Sequence, residues 1–219
     1  MILIPVKSQE NAKQRLAALL SARERLELAQ AMLEDVLDAV AAVPDCPPVS
    51  LVTSDAHARG LAARFGYAVI EDTDNGGETA AIESATRICV ERGIAWALVI
   101  PGDAPLVTPA EVRAVLDAAP ERGSVLVTDH KHRGSNAVLR RPADLFPLRF
   151  GDDSYAPHLR AAQATGLPAI ELQLPGIALD LDRPEDVAAL LARPGATRAQ
   201  QLLRAWNTAE RLRSLVLCP

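Results

Sequence analysis

The chain has 219 residues, 49% of them apolar, and a formal net charge of −5. That length suits one large α/β domain, and the acidic balance speaks against nonspecific nucleic-acid binding, which draws on counterion release at a basic surface. No apolar run is long enough to cross a bilayer, residues 1–7 carry neither a basic leader nor a cleavable apolar segment, and the expectation is a cytoplasmic protein with no membrane partner.

The first strand is expected over residues 2–6, and strand-type runs recur at 49–53, 68–70, 96–100 and 125–128. Helical patterns fill most of the intervals, the βαβ alternation of a parallel sheet. In the longest interval Leu26, Ala29, Leu33, Val36, Leu37 and Val40 fall at steps of three, four or one, the period of a helix with one buried face. Ser21 and Glu24 form a capping box at its start. Thr108-Pro109-Ala110-Glu111 repeats the device with Pro at the first helical position, so a helix follows the loop 101–107. Beyond residue 130 the order changes: 136–140, 170–174 and 177–181 read as strands and 154–165 as a helix. Residues 184–191 read as a helix that Arg193-Pro194-Gly195 breaks. A last helix over 198–212 carries Leu202, Trp206, Ala209 and Leu212 on one face. The division expected is a main domain over 1–195 and a helical extension over 196–219. The last helix packs on its own core or on a partner subunit in a homodimer.

Ligands of open parallel sheets bind beyond the carboxyl ends of the strands. Two of only three lysines, Lys7 and Lys13, lie with Arg15 in the loop Lys7-Ser8-Gln9-Glu10-Asn11-Ala12-Lys13-Gln14-Arg15. Cations and N–H groups at a helix start suit a polyphosphate, although a solvated loop has the same composition. In Pro101-Gly102-Asp103, Gly102 permits close backbone approach and Asp103 presents a carboxylate at a strand end, a geometry for holding Mg²⁺ with substrate phosphates. Asp180 and Asp182 share one face of an extended segment and can aim at one cation, with helix capping as the alternative. With Asp103 they make a candidate three-carboxylate metal site. Gly134-Ser135-Asn136 and Phe150-Gly151-Asp152-Asp153-Ser154, followed by His158, offer N–H and O–H donors to a phosphate or carboxylate, or are simple turns. Asp129-His130-Lys131-His132 reads as a solvated hairpin rather than a metal patch. Cys46, Cys89 and Cys218 are odd in number, widely scattered and without CxxC spacing, which speaks against a disulfide framework or zinc ribbon and for buried or incidental thiols.

Ile4-Pro5-Val6-Lys7 with Ala12-Lys13-Gln14-Arg15-Leu16, and then Ala31-Met32-Leu33-Glu34-Asp35-Val36-Leu37, resemble the opening of the 2-phospho-L-lactate guanylyltransferase family of coenzyme F420 biosynthesis. Pro101-Gly102-Asp103-Ala104-Pro105-Leu106-Val107, Gly134-Ser135-Asn136-Ala137, Phe150-Gly151 with Ser154 and His158, and Leu179-Asp180-Leu181-Asp182-Arg183-Pro184-Glu185-Asp186 follow in the family's order. The resemblance implies a glycosyltransferase-A-like α/β nucleotidyltransferase, a mostly parallel sheet flanked by helices. It further implies that Asp103, Asp180 and Asp182 hold Mg²⁺ and that Lys13 and Asp103 are catalytic. GTP would meet Lys7, Lys13, Arg15, Gly77, Thr79 and Gly102. Ser135, Gly151 and Ser154 would hold the acceptor, a small phosphorylated carboxylic acid such as phosphoenolpyruvate, 3-phosphoglycerate or 2-phospholactate. Two departures stand out: Gly77-Glu78-Thr79-Ala80-Ala81 replaces the family's Gly-Leu-Asn-Ala-Ala, and Asp152 and Asp153 add negative charge beside the acceptor loop.

A phosphate monoester is already ionised at neutral pH, so it attacks the α-phosphorus of GTP without a Ser-His-Asp triad or a general base. Catalysis is then positioning and charge neutralisation. The rival within the fold is a molybdenum-cofactor or sugar-phosphate nucleotidyltransferase, whose first loop is glycine-rich; here no glycine lies between Lys7 and Arg15. The rival of another class is a noncatalytic nucleotide-binding regulatory subunit, against which the three carboxylates speak.

Overall fold

The computed structural model describes residues 1–8, 12–72 and 76–217, the side chains of 216 and 217 excepted. Gln9, Glu10 and Asn11 of the lysine loop and Cys218 lie outside the described residues. Seven strands form one sheet: β1 (Ile2–Pro5), β2 (Val49–Val52), β3 (Ala68–Ile70), β4 (Ala97–Val99), β5 (Gly123–Thr128), β6 (Ser135–Arg141) and β7 (Ala169–Leu172), in the order β3-β2-β1-β4-β6-β5-β7. The pairs β1–β2, β2–β3, β1–β4 and β5–β7 are parallel, and β6 runs antiparallel to both β4 and β5.

Strand β1 is central because both of its faces are apolar. Ile2 and Ile4 point to one face, where Leu33, Val36, Leu37 and Val40 of α1 (Ala22–Ala41) cover them; Leu3 points to the other, onto Ile82, Ala85 and Cys89. Those last three lie on α3 (Glu78–Glu91), which follows α2 (Ala56–Phe65). The capping boxes form as expected: Ser21 and Glu24 exchange bonds at the start of α1, and Thr108 and Glu111 do so before α4 (Pro109–Asp117). After α5 (Tyr155–Ala164), the helices α6 (Pro184–Ala192), α7 (Arg198–Ala205) and α8 (Thr208–Leu217) close the chain. Val187, Leu190, Ala199 and Leu203 of this group bury against Leu28 and Met32 of α1. The N–H groups of Arg198 and Ala199 donate to the Asp35 carboxylate at 2.9 and 3.0 Å, so α7 starts on a side chain of α1.

Two expectations need correction. Residues 177–181 are not a strand. The Ala178 N–H turns back to the Leu174 carbonyl, the Ala178 carbonyl accepts from the His130 N–H, and the Leu181 N–H goes to the Asp103 carbonyl at 3.2 Å. Pro175 offers no donor, and a Cβ on Gly176 would collide with Glu111 and the Leu106 carbonyl, so the chain bends here instead of joining a ladder. The helix expected over 198–212 is two helices, because Asn207 takes a left-handed φ of 52°, a conformation that ends helices and that Asn tolerates.

The reversed direction of β6 decides where function gathers. Because β6 pairs antiparallel with β4, its first residue, Ser135, starts at the same sheet edge where β1 and β4 end.

Candidate active site

Lys13 is the hub. Its backbone sits in the left-handed region (φ 53°, ψ 42°) ahead of a 3-10 turn at Gln14–Leu16, a conformation that costs a residue with a Cβ roughly 1–2 kcal/mol. Its side chain is 9% exposed, and its ammonium lies 2.5 Å from Asp103 Oδ2 and 2.7 Å from Asp182 Oδ1. Arg15 Nη1 stands 3.6 Å from the other oxygen of Asp182. Asp103 reaches this point because the loop after β4 packs on the end of β1; a Cβ at Gly102 would meet Leu33 at 3.2 Å and the Pro5 carbonyl at 3.5 Å.

Two side chains of unassigned role, Asn136 and Asp186, set the Asp180-Leu181-Asp182 segment. Asn136 donates from Nδ2 to Asp180 Oδ1 at 3.0 Å and to the Ile177 carbonyl at 2.9 Å. The Asp186 carboxylate, 1% exposed, accepts from the N–H groups of Asp182 and Arg183 at 3.0 and 2.8 Å. Its other oxygen pairs with Lys131 at 2.6 Å and stands 3.3 Å from His130 Nε2. The hairpin that joins β5 to β6 is therefore fastened to α6, not merely solvated. Arg183-Pro184-Glu185-Asp186 carried the clue, since Pro at the first helical position with an acid two residues on is a helix-start pattern.

Charge crowding dominates the site. Burial alone would lower the Lys13 pKa, but Asp103 and Asp182 outweigh it and hold the ammonium well above the usual lysine range. Asp180 is pushed up to about 6, by burial first and then by Asp103, against the help of Asn136. Asp182 lies below the ordinary carboxylate range, because Lys13 overcomes the opposing effect of burial. Glu78 is raised by burial, which Lys7 at 3.7 Å only partly offsets. For Mg²⁺, the donors are the hard oxygens that this cation prefers, and the repulsion felt by Asp180 marks a place short of positive charge. As placed, however, no three acidic, imidazole or thiol groups among the described residues converge closely enough to hold a metal ion. The Lys13 ammonium lies between two of the three expected ligands.

Two clefts meet at this triad. One, of about 440 Å³, is lined by Asp103, Asp180 and Asp182 together with Ser135, Gly151 and Ser154. Its neighbour, of about 300 Å³, is lined by Lys7, Lys13, Met32, Gly102, Asp103 and Asp182. Arg15 lines the larger cleft. Gly77 and Thr79 line neither: Gly77 precedes α3 with φ 91°, and the Thr79 hydroxyl accepts from the Phe150 N–H at 2.9 Å, so it fastens the loop that carries Gly151. Glu78, between them, lines both clefts.

A model of the family described as "Guanylyl transferase CofC like" matches residues 1–211. The chain belongs to this family. A phosphoenolpyruvate guanylyltransferase of Sphaerobacter thermophilus is 35% identical, over 85% of this chain and 90% of its own. A 3-phospho-D-glycerate guanylyltransferase of Phenylobacterium zucineum is 33% identical (92% and 94% covered), and a 2-phospho-L-lactate guanylyltransferase of Methanothermobacter thermautotrophicus is 31% identical (92% and 88% covered). A solved structure described as a putative nucleotide-diphospho-sugar transferase, from Desulfovibrio desulfuricans, superposes with a TM-score of 0.78 at 17% identity, covering 97% of this chain and 96% of its own. The fold is thus of the nucleotide-diphospho-sugar transferase type, as the sequence motifs implied, and the protein is a nucleotidyltransferase. No helix among the described residues is long and apolar enough to cross a membrane.

Within this guanylyltransferase frame the second departure, Asp152 and Asp153, has a structural answer. Asp152 accepts from Arg15 at 3.3 and 3.4 Å and Asp153 from Arg133 at 2.6 and 2.9 Å, so each added charge at the rim has an arginine beside it. These exposed pairs offset charge and add little stability.

The wall of the larger cleft that carries Ser135 and Ser154 rests on His158, which is 1% exposed. Burial, and after it the Arg140 guanidinium, push its imidazole down to about 4. The unfolded chain, with an imidazole near 6.5, then takes up the proton first, so stability is full above that value and lost as pH falls through 4. We expect the wild type to lose about 3 kcal/mol more than His158→Phe between pH 7 and pH 4, measured by urea unfolding at each pH. Parallel stability curves for the two proteins would refute this.

Proposed function

We propose that the protein transfers GMP from GTP to a phosphorylated three-carbon carboxylic acid, phosphoenolpyruvate before 3-phosphoglycerate or 2-phospholactate, and releases pyrophosphate. The observation that carries the reading is the Lys13–Asp103–Asp182 cluster, which stands where the two clefts meet. The substrates come from the names of the relatives, and the cationic loop suits the triphosphate. The smaller cleft takes GTP with Lys7, Lys13 and Gly102, while Arg15 reaches over from the larger. Ser135, Gly151 and Ser154 take the acceptor. An acceptor phosphate oxygen bonds to the α-phosphorus as its bond to the bridging oxygen breaks, and pyrophosphate leaves with that electron pair. Asp103, Asp180 and Asp182 are the residues that would hold Mg²⁺, which when bound neutralises polyphosphate charge. The guanylylated acid serves coenzyme F420 synthesis, as the family resemblance implies, and the place proposed for it is the cytoplasm. A homodimer belongs to the same proposal, although the apolar face of the C-terminal helices, with Leu203, Trp206 and Leu212, packs on the chain's own core.

The test is incubation with GTP, Mg²⁺ and each acceptor separately, with mass detection of the guanylylated acid. No product with any of the three would overturn the reading. Ser154→Ala is expected to raise the acceptor KM by about tenfold and the GTP KM by much less, since a donor to a charged group is lost on one side only. An equal or larger effect on GTP would move the acceptor away from 150–158.

A further inference from the structure

His158 makes two hydrogen bonds whose directions fix its proton. Its Nε2 lies 2.7 Å from the Arg149 backbone N–H, which can only donate, so Nε2 carries no hydrogen. The single proton of the neutral ring therefore sits on Nδ1, 2.9 Å from Ser135 Oγ, and Nδ1 donates to it. The Ser135 backbone N–H in turn donates to Ser154 Oγ at 2.9 Å. Each hydroxyl thus accepts one bond from behind, and among the described residues neither has a protein acceptor for its own hydrogen. Both serines are nearly buried, at 7% and 3% exposure, and both line the larger cleft. The only direction left for the two O–H groups is into that cleft.

We propose that His158 is a positioning residue for the acceptor: by donating to Ser135 it orients that hydroxyl as an outward donor, so that Ser135 and Ser154 present two O–H groups to an anion. This rests on the acceptor reading above. It adds that selectivity for an anion depends on the order of protons in a chain of three groups, the Arg149 N–H, the imidazole and the Ser135 hydroxyl, while the Ser154 hydroxyl is set separately by the Ser135 backbone N–H, which can only donate. With the ring's proton on Nε2 instead, Nδ1 would accept from Ser135, the hydroxyl would turn inward and the cleft would face the anion with a lone pair.

Two substitutions separate this role from simple packing. In His158→Asn the amide nitrogen can take the place of Nδ1 and still donate to Ser135. In His158→Gln the amide reaches the Nε2 end and the donation to Ser135 is lost. With phosphoenolpyruvate as acceptor, His158→Gln should raise the acceptor KM about tenfold and leave the GTP KM within about twofold, the effect of one lost bond to a charged group. His158→Asn should recover to within about threefold of the wild type. A side chain that merely fills space would give two similar variants, and equal KM values for Asn and Gln would overturn the proposal. ¹⁵N NMR of the free wild-type protein at pH 7 gives a readout independent of turnover: the ring is expected as the Nδ1–H tautomer, and an Nε2–H tautomer would sink the inference even if guanylyl transfer is found. If the wild type transfers GMP to none of the three acceptors, both this inference and the reading beneath it fall.

Discussion

Asp182→Asn is expected to lower kcat by on the order of a thousandfold at saturating Mg²⁺, because several kcal/mol of charge stabilisation leave with the carboxylate. Asp182 is held on three sides: it meets Lys13 at 2.7 Å and Arg15 at 3.6 Å, and its N–H is tied to Asp186. The substitution keeps size and leaves that backbone bond in place, and the side chain is 43% exposed, so the thermal midpoint should barely move. Asp103→Asn should behave alike. Asp153→Asn is the contrast, since its partner Arg133 lies at the exposed rim and a surface pair is worth little; its kcat should change less than about threefold. Mn²⁺ binding followed by electron paramagnetic resonance reports on the metal without turnover, and should weaken in Asp103→Asn and Asp182→Asn but not in Asp153→Asn. Near-normal kcat and unchanged Mn²⁺ binding in the two site variants would remove both carboxylates from the mechanism.

Lys13→Met should lower kcat/KM for GTP by roughly 10- to 150-fold, the equivalent of 1.5–3 kcal/mol for a hydrogen bond to a charged group. The ammonium is the one cation in contact with both Asp103 and Asp182 among the described residues, so its loss leaves two carboxylates facing each other and the incoming triphosphate. Lys13→Arg should not restore the rate. A planar guanidinium fork needs more room than an ammonium, and the Lys13 side chain is only 9% exposed. Steady-state kinetics with varied GTP at fixed phosphoenolpyruvate decide the matter. A wild-type GTP dependence in Lys13→Met would mean that the loop only balances the charge of the two aspartates.

Local rules were enough for the elements whose causes are local. The capping boxes at Ser21 and Thr108 and the 3.6-residue period of α1 form as read, because each depends on residues three or four apart. The ordered motifs likewise sufficed for the family, since the Lys13, Asp103 and Asp180-Leu181-Asp182 segments keep their residue types and order along the chain. What the period of an apolar run does not carry is which backbone groups answer which. Residues 177–181 have the composition of a strand, but their donors and acceptors are met by the Asp103 carbonyl and the His130 N–H, groups far away in sequence. The break at Asn207 was equally hidden, because the apolar face of 198–212 continues across it.

The sequence by itself determined the fold class, the family and the chemical types at the site: cations after the first strand, carboxylates after the fourth and near residue 180, hydroxyls at 135 and 154. Tertiary structure alone decided their pairing. It set Lys13 between Asp103 and Asp182, Asp186 under the Asp182 backbone, and Thr79 on the Phe150 loop rather than in a cleft. It also fixed the proton of His158, because the Arg149 N–H that dictates the tautomer reaches the ring only after the chain has folded back on itself. The physical reason is range: caps and periods are written within a turn or two of helix, whereas a hydrogen bond or ion pair is selected by proximity within about 3–4 Å, and that proximity is a product of the whole sheet.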